Sequence, residues 1–426
     1  MTVKQPRLKV GAGKAIVEIP QLLFPIEGFT SIHDDLHVRA LLLSNGQKNY
    51  AMIVVEITSL GNEFTHEVKR LVEAETGVDY TEIFVCASHT FQAPHLRPSH
   101  LELSAEENEK NNRFKQALVN AVKSAVNQAH GSMQWAKLGF GVGQCNVNIN
   151  RDVLTDQGWW KGTNCHGPSD KTVAVMRFDT LAGQPIALFV NYPVQSGILL
   201  DSVQSAGEKL ISADLGGYTA RYLEQQYDDE IVALWNVGAA GDQDPLFIAK
   251  RHILNRHGQY GRIDVHEGGF VLVELLGERL GQEALRVAES ITRFKANVVF
   301  KNVHKLVICP GQEIFPNVHE MQPCKEYDFK ASTPLEVPVH IMVLGDVALI
   351  GVRPELVSMT ALEIKQASPY KNTVIMTMVN GSAKYLPDVG SYENITYAAM
   401  NSMGARGAAE LLRDTIIELL DEIVFA

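Results

Sequence analysis

Short apolar runs alternate with amphipathic stretches along most of the chain. Continuous apolar runs are typical of buried strands, whereas apolar residues that recur every three or four positions are typical of helices. The apolar runs predict strands at 50–57, 83–87, 172–178, 186–192, 231–235, 340–344, 347–352 and 373–379. The helical spacing predicts helices at 62–75, 216–226, 269–290, 355–366 and 407–423. A further long helix is expected to begin at a capping box formed by Ser104 and Glu107.

The alternation of strands and helices predicts the α/β class, with mixed sheets flanked by helices. The chain contains no Pro/Ser-rich linker, repeat or low-complexity tract, so we expect one large domain over 1–426. Five prolines interrupt the pattern between 300 and 338. This segment is therefore predicted to be an irregular insertion or a lid.

Composition excludes several functional classes. The chain has 426 residues, 46% of them hydrophobic, and its formal net charge is -11, which argues against a large nucleic-acid interface. Its five cysteines are an odd number without a Cys-x-x-Cys pair, so neither a disulfide framework nor a thiolate zinc site is expected. It has no apolar run long enough to span a membrane and no export signal at its N-terminus. The chain is expected to be cytoplasmic, and its oligomeric state is left open.

Polar segments rich in small residues follow several of the predicted strands. These segments are CASHTFQAPH (86–95), VNYPVQS (190–196), NVGAAGDQDP (236–245), VRPEL (352–356) and NGSAKYLPDVGSYENITY (380–397). Loops that leave the carboxyl ends of strands are where α/β proteins usually bind ligands. We therefore expect chemically active side chains in these segments, the last of which is predicted to be a long polar loop.

Each segment also has a purely structural interpretation. His89 can be a histidine whose ring is satisfied by the backbone at a strand end, and Asp242 and Asp244 can cap a helix. Glu355, after Pro354, can be a carboxylate that interacts with the positive N-terminal end of a helix. The glycine-rich segment lacks the Gly-Lys-Ser/Thr ending of a phosphate-binding loop, so nucleotide binding is not predicted.

The order of the motifs resembles the catalytic domain of the neutral ceramidase family, most closely its shorter bacterial members of undefined substrate. The motifs are VGAGKA, HDDLHVRAL, CASHT, NINRD, NYPVQ, ISADLGGY, GAAGDQDP, RPEL and NGSAKYLPD with YENITY. The resemblance implies that fold without the family's additional C-terminal β-sandwich domain. It also implies one zinc ion that activates water to cleave an amide.

The resemblance assigns roles to individual residues. The metal ligands that it implies are His89, Gln195, Glu355 and Tyr385. The catalytic residues are Arg151, Asp244 and Tyr397, of which Tyr397 would contact the scissile carbonyl. Asp244 stands where ceramidases that act on ceramide have serine. The substrate-binding residues are His33, Phe91 and Asp242.

Two of these positions depart from the family pattern. Phe91 replaces the second histidine of the first loop, and Gln195 replaces a histidine ligand. Zinc prefers nitrogen and sulfur donors, so the remaining ligands suit it poorly. Three outcomes are open: recruitment of a substitute histidine, binding of a harder ion through oxygen ligands, or a site without a metal. The candidate substitutes are His33, His95, His100 and His166.

The leading hypothesis is a metal-dependent hydrolase of an amide bond in a small or peptide-like substrate, with one divalent metal, most simply zinc. Asp244 would accept the proton of the water, and Arg151 and Tyr397 would stabilise the oxyanion. The alternatives are a metal-independent biosynthetic enzyme that forms or rearranges amides, and a ligand-binding pseudoenzyme. Ceramide itself is not the expected substrate.

Overall fold

Strands and helices follow one another through residues 7–425, the part of the chain that the computed structural model describes. The strands are β1 (Lys9–Ile16), β2 (Phe29–Ile32), β3 (His37–Ser44), β4 (Asn49–Val55), β5 (Ile83–Ala87), β6 (Gln134–Gln144), β7 (Asn148–Thr155), β8 (Gly158–Asn164), β9 (Thr172–Thr180), β10 (Pro185–Tyr192), β11 (Lys209–Ile211), β12 (Val232–Val237), β13 (Gln243–Pro245), β14 (Lys250–Leu254), β15 (Tyr260–Asp264), β16 (Phe294–Lys295), β17 (Phe300–Gln312), β18 (Ala331–Leu344), β19 (Val347–Val352), β20 (Glu355–Leu356), β21 (Asn372–Met376) and β22 (Tyr385–Leu386). The helices are α1 (Asn62–Thr76), α2 (Ala105–Gly131), α3 (Asp214–Gln226), α4 (Gly268–Ser290), α5 (Ser358–Ala367), α6 (Val389–Glu393), α7 (Tyr397–Met400) and α8 (Ala408–Phe425), with short 3-10 turns at Gln21–Leu23 and Tyr80–Glu82. Residues 1–6 and 426, which the predicted domain includes, lie outside the described part.

Two mixed sheets pack against each other through apolar side chains. The larger sheet has the order β12-β10-β9-β6-β1-β3-β4-β5, with β16 beside β6, and the smaller has the order β17-β18-β19-β21. Each sheet contains both antiparallel and parallel pairs; β4 and β5 are parallel, as are β19 and β21. Phe84 and Phe189 of the larger sheet and Met342 and Leu349 of the smaller sheet belong to the core between them.

Helices cover the outer faces of both sheets. Helices α1 and α2 pack on β3 and β4, and α3 and α4 pack on β9, β10 and β12. Helices α5 and α8 cover the smaller sheet. The predicted α/β class, with mixed sheets flanked by helices, is therefore confirmed. Within residues 7–425, no helix has both the length and the apolar character that crossing a bilayer requires.

Periodic segments were predicted accurately. Helices α1, α3, α4 and α8 lie within two residues of the predicted ends. The predicted capping box is present at α2, where Ser104 accepts from the backbone N–H of Glu107 and the Glu107 carboxylate accepts from that of Ser104. Strands β4 and β21 end earlier than predicted, before 57 and 379.

The prediction of an irregular segment over 300–338 is wrong for most of its length. Strands β17 and β18 form a long antiparallel hairpin, and only 313–330 lies between them. Pro310 and Pro334 lie beside the register shift between Cys309 and Gly311. A proline is tolerated there because the ladder is already interrupted.

Two predictions near the C-terminus are also wrong. Glu355 does not open a helix: it lies in β20, which pairs in parallel with β22, and α5 begins only at Ser358. The backbone N–H of Glu355 donates to the carbonyl of Lys384, so pairing with a distant segment overrides the local helix signal. The predicted loop over 380–397 contains β22 and α6, and α7 begins at Tyr397.

Candidate active site

His89 follows β5 and is held by the backbone around it. Its φ is +64°, a left-handed conformation that is uncommon for residues other than glycine. The imidazole Nδ1–H donates to the carbonyl of Thr58 at 2.6 Å, which directs Nε2 to the Glu355 carboxylate at 3.1 Å. Both side chains are buried.

Glu355 and Tyr385 are brought side by side by a very short parallel pair. They are register partners in β20 and β22. Gln195, which follows β10, donates from Nε2 to the Glu355 carboxylate at 2.7 Å and to the Tyr385 hydroxyl at 3.3 Å. Four residues that the family resemblance assigned to one site therefore converge, from four separate segments.

Arg151 lies at the centre of the network. It is carried by β7, it is 2% exposed, and its Nη1 donates to Gln195 Oε1 and to Asp244 Oδ1, at 3.2 Å each. Its Nη2 donates to the carbonyl of Gly241 at 2.6 Å. Its guanidinium carbon lies 5.0 Å from the centre of the Tyr385 ring. Asp244 reaches this position because β13 pairs with β7.

Aromatic side chains form one wall of the site. Tyr397 packs edge-on against Tyr385 and Trp160, with ring centres 5.9 and 5.6 Å apart. Its hydroxyl accepts from Asn401 Nδ2 at 3.2 Å. Lys161, on β8, places its ammonium 3.6 Å from the centre of the Tyr397 ring.

Sequence reasoning missed Trp160 and Lys161. They lie in GWWKG (158–162), where a run of aromatic residues between glycines is the signal that could have suggested a strand at the site. Asp152, next to Arg151, was missed as well. Burial raises the pKa of the Asp152 carboxyl to about 7, although the positive charge of Arg151 acts to lower it.

The buried charges set the protonation of the site. Burial by itself would lower the pKa of His89 and raise that of Glu355, but their mutual attraction reverses both directions. Both directions favour the charged forms, an imidazolium beside a carboxylate. Burial also raises the pKa of the Tyr385 hydroxyl well above its usual range, so this tyrosine is neutral.

The other predicted substrate residues lie in different surroundings. Phe91 is adjacent to the site, with its ring centre 4.6 Å from that of His89. Asp242 accepts from the backbone and hydroxyl of Ser358 and from Asn150, so its described contacts are structural.

His33 is not brought into the cluster. It stacks on Phe270 with ring centres 3.7 Å apart and bonds Asp34, beside a separate cavity of about 320 Å³. Among the candidate substitute ligands, His95 pairs with Glu27, and His100 and His166 are exposed. The contacts of these histidines give no support to recruitment of a substitute ligand.

The donor set does not fit the zinc ion that the resemblance implies. Because a guanidinium can only donate, Gln195 Oε1 is engaged by Arg151 and its amide N–H faces Glu355. The Nε2 of His89 is engaged in a hydrogen bond with the Glu355 side chain. The groups expected to bind a metal therefore satisfy one another. Residues 7–425 contain no group of three or more His, Cys, Asp or Glu side chains placed to hold a metal.

A family model described as neutral/alkaline non-lysosomal ceramidase, N-terminal, matches residues 27–250. This is more than half of the chain, so the chain belongs to the neutral/alkaline non-lysosomal ceramidase family. Membership of this family, together with the fold, supports the view that the chain is a hydrolase of amide bonds.

Solved structures agree on the fold. The neutral ceramidase from Pseudomonas aeruginosa is similar with a TM-score of 0.73 at 16% identity, over 99% of this chain and 75% of that one. A structure of a ceramidase complexed with C2 is similar with the same TM-score and identity, over 97% of this chain and 75% of that one. A search of curated proteins found no match.

Proposed function

We propose that the chain hydrolyses the amide bond of a small or peptide-like N-acyl substrate, and that its own side chains carry the reaction. The observation that supports this is the hydrogen-bonded network of Arg151 with Gln195 and Asp244, beside the ring of Tyr397. This arrangement groups a fixed positive charge, a carboxylate and a phenol. Groups of these kinds can promote the attack of water on a carbonyl.

Tyr397 and Arg151 are proposed to stabilise the oxyanion. The Tyr397 hydroxyl accepts from Asn401, which leaves its own hydrogen free to donate to the carbonyl oxygen of the substrate. The guanidinium lies 5.4 Å from the centre of the same ring, so its charge acts on the same oxygen. Fixed donors in a buried site stabilise developing charge without reorganising.

Asp244 is proposed to move the proton. Its Oδ1 is held by Arg151. The Asp244 side chain is 11% exposed, whereas that of Arg151 is 2% exposed, so Asp244 is the more accessible of the two to a water molecule. As the water oxygen bonds to the carbonyl carbon, one water proton passes to Asp244. The proton then passes to the amide nitrogen as the carbon–nitrogen bond breaks, which gives an acid and an amine.

His89 and Glu355 are proposed to position the network rather than to transfer protons. Both ring nitrogens of His89 are engaged, by Thr58 and by Glu355. Glu355 in turn fixes the amide of Gln195, whose oxygen holds Arg151. Through these contacts, His89 and Glu355 hold the guanidinium of Arg151 in a fixed position.

The proposal is tested with N-acyl-4-nitroanilides as probes, by following release of 4-nitroaniline. Wild-type turnover is expected to be unchanged by excess chelator. Asp244→Asn is expected to lower kcat by about 100-fold or more, because general acid–base catalysis contributes roughly that much. Asp346→Asn, at an exposed aspartate paired with Lys295, is the matched control and should retain activity. Activity that disappears with chelator and returns with zinc would contradict the proposal, as would the absence of turnover with every acyl chain.

A further inference from the structure

Lys161 is a charged side chain of the site that no partner neutralises. It reaches the site from β8, which pairs with the strand of Arg151. It is half-buried, and its ammonium faces the ring of Tyr397 at 3.6 Å. Within residues 7–425 no carboxylate forms an ion pair with it and no acceptor hydrogen-bonds to it. An ammonium has three donors, and burying it without an acceptor is costly.

The charges around Lys161 do not supply that acceptor. Of the two carboxylates that act on its charge, Asp244 and Asp201, the stronger influence is Asp244, which is already bonded to Arg151. Burial, together with the positive charges of Arg151 and Arg262, lowers the pKa of Lys161 to about 8, so it is still largely protonated at neutral pH. Two cationic side chains, Arg151 and Lys161, therefore lie against the ring of Tyr397, in a chain whose net charge is -11. Such a local field attracts anions.

We propose that Lys161 binds an anionic group of the substrate, so that the substrate class is an N-acyl amine with a carboxylate or phosphate close to the scissile amide. This inference rests on the proposed amide hydrolysis. The ammonium lies over the ring whose hydroxyl is assigned to the scissile carbonyl, so an anion on Lys161 is only a few bonds from that carbonyl. N-acyl amino acids have this arrangement. A neutral amide does not use the ammonium.

The experiment compares matched probes that differ only in charge. N-acylglycines and the corresponding N-acylglycinamides, with acetyl to octanoyl chains, are assayed for release of the amine. N-acyl aminomethylphosphonates serve as the phosphate-like arm. The variants are Lys161→Met and Lys161→Arg. Lys9→Met is the matched control, because Lys9 is also a half-buried lysine with its ammonium over a ring, 4.6 Å from that of Trp135.

We expect wild type to prefer an anionic probe over the glycinamide by about 100-fold in kcat/KM, since truncating one partner of a buried charged contact has an effect of this order. Lys161→Met should abolish this preference, mainly through KM, because the ammonium contacts the substrate before and during the reaction. Lys161→Arg should keep most of it, and Lys9→Met all of it. Whichever anion gains more identifies carboxylate or phosphate as the natural group.

Equal rates for charged and neutral probes in wild type would overturn the inference and leave the proposed hydrolysis intact. A preference that survives in Lys161→Met would also overturn it. If no probe is hydrolysed, thermal stabilisation of the protein by the same probes tests whether Lys161 binds an anion. Stabilisation by the anions in wild type and Lys9→Met, lost in Lys161→Met, would support the anion site while the hydrolase proposal fails. No stabilisation by any anion would overturn both.

Discussion

Gln195 determines which chemistry the cluster around His89 can support. Its amide oxygen accepts a hydrogen bond from Arg151, and its amide N–H donates one to Glu355. An imidazole at this position would present a lone pair instead. We therefore expect this residue to decide between a hydrogen-bond network and a metal site.

Gln195→His is expected to create a zinc site in which the introduced imidazole joins His89, Glu355 and Tyr385. Zinc affinity should rise by more than about 100-fold, because even a lost outer-shell partner costs 10–100-fold. Isothermal titration with zinc measures this, together with elemental analysis of the dialysed protein. Adding His89→Ala to the same variant should remove the gain. Equal zinc affinity in Gln195→His and wild type would show that the donor geometry is wrong.

The family resemblance grouped Arg151, Gln195 and Glu355, and the structure places these side chains in contact. It could not give the orientation of the Gln195 amide, which depends on a guanidinium contributed by another segment. Lys161 escaped detection because the aromatic run around it suggests a strand but does not indicate which other segment that strand lies against. His33 was expected at the substrate, but it stacks on Phe270.

At the scale of elements, the site depends on close packing between β20 and the glycine-rich segment before β13. The backbone N–H of Gly241 donates to Leu356 at 2.8 Å, and its carbonyl accepts from Arg151. A Cβ at this glycine would lie 2.9 Å from the carbonyl oxygen of Glu355 and 3.0 Å from that of Leu356. Both neighbours are backbone atoms, which cannot move independently of the strand.

Gly241→Ala is therefore expected to displace β20 and lower kcat/KM by about tenfold or more, because small misplacements of catalytic groups are costly. It should also destabilise the fold by about 1–3 kcal/mol, as overpacking usually does. Activity assays and urea unfolding measure the two effects. Gly131→Ala is the matched control, since a Cβ there meets nothing within 4 Å. Full activity in Gly241→Ala would mean that the strand has room to adjust.

Elements with strong periodicity were predictable because their burial pattern is visible in the sequence itself. Helix α4 and strand β19 are of this kind. Strands β20 and β22 were not predictable, since each has two residues and exists only through the other. The hairpin of β17 and β18 was missed because prolines are usually excluded from strands, whereas here two of them lie beside a bulge.

At the scale of the whole molecule, a buried ion network joins strand β3 and the segment after β4 to helix α3. Arg39, 1% exposed on β3, donates to Glu56 at 2.5 Å and to Glu224 of α3 at 2.8 Å. Burial by itself would raise the pKa values of both carboxyls, but the charge of Arg39 lowers them. Carboxyls with depressed pKa values stabilise the folded state above their unfolded pKa of about 4.3.

The free energy of unfolding is therefore expected to change little between pH 7 and 5 on account of this network, and to fall as the pH drops below about 4.3. Glu224→Gln should cost about 3–5 kcal/mol at pH 7, because it leaves Arg39 incompletely paired. The loss of stability caused by Glu224→Gln should be smaller in acid, because there the Glu224 carboxylate of the wild type is itself protonated. Urea unfolding across this pH range measures both, with Glu230→Gln, at an exposed position, as the control. A cost that does not vary with pH would exclude an ionic origin.

The contact between His89 and Glu355 joins residues 266 positions apart, and Tyr385 and Tyr397 are made later still. Contacts of such separation form only after the intervening chain has been ordered. A nascent polypeptide consequently has no complete site until the segment that carries Tyr385 and Tyr397 has left the ribosomal exit tunnel, even when its first helices have folded. The cluster is assembled only after that segment has docked.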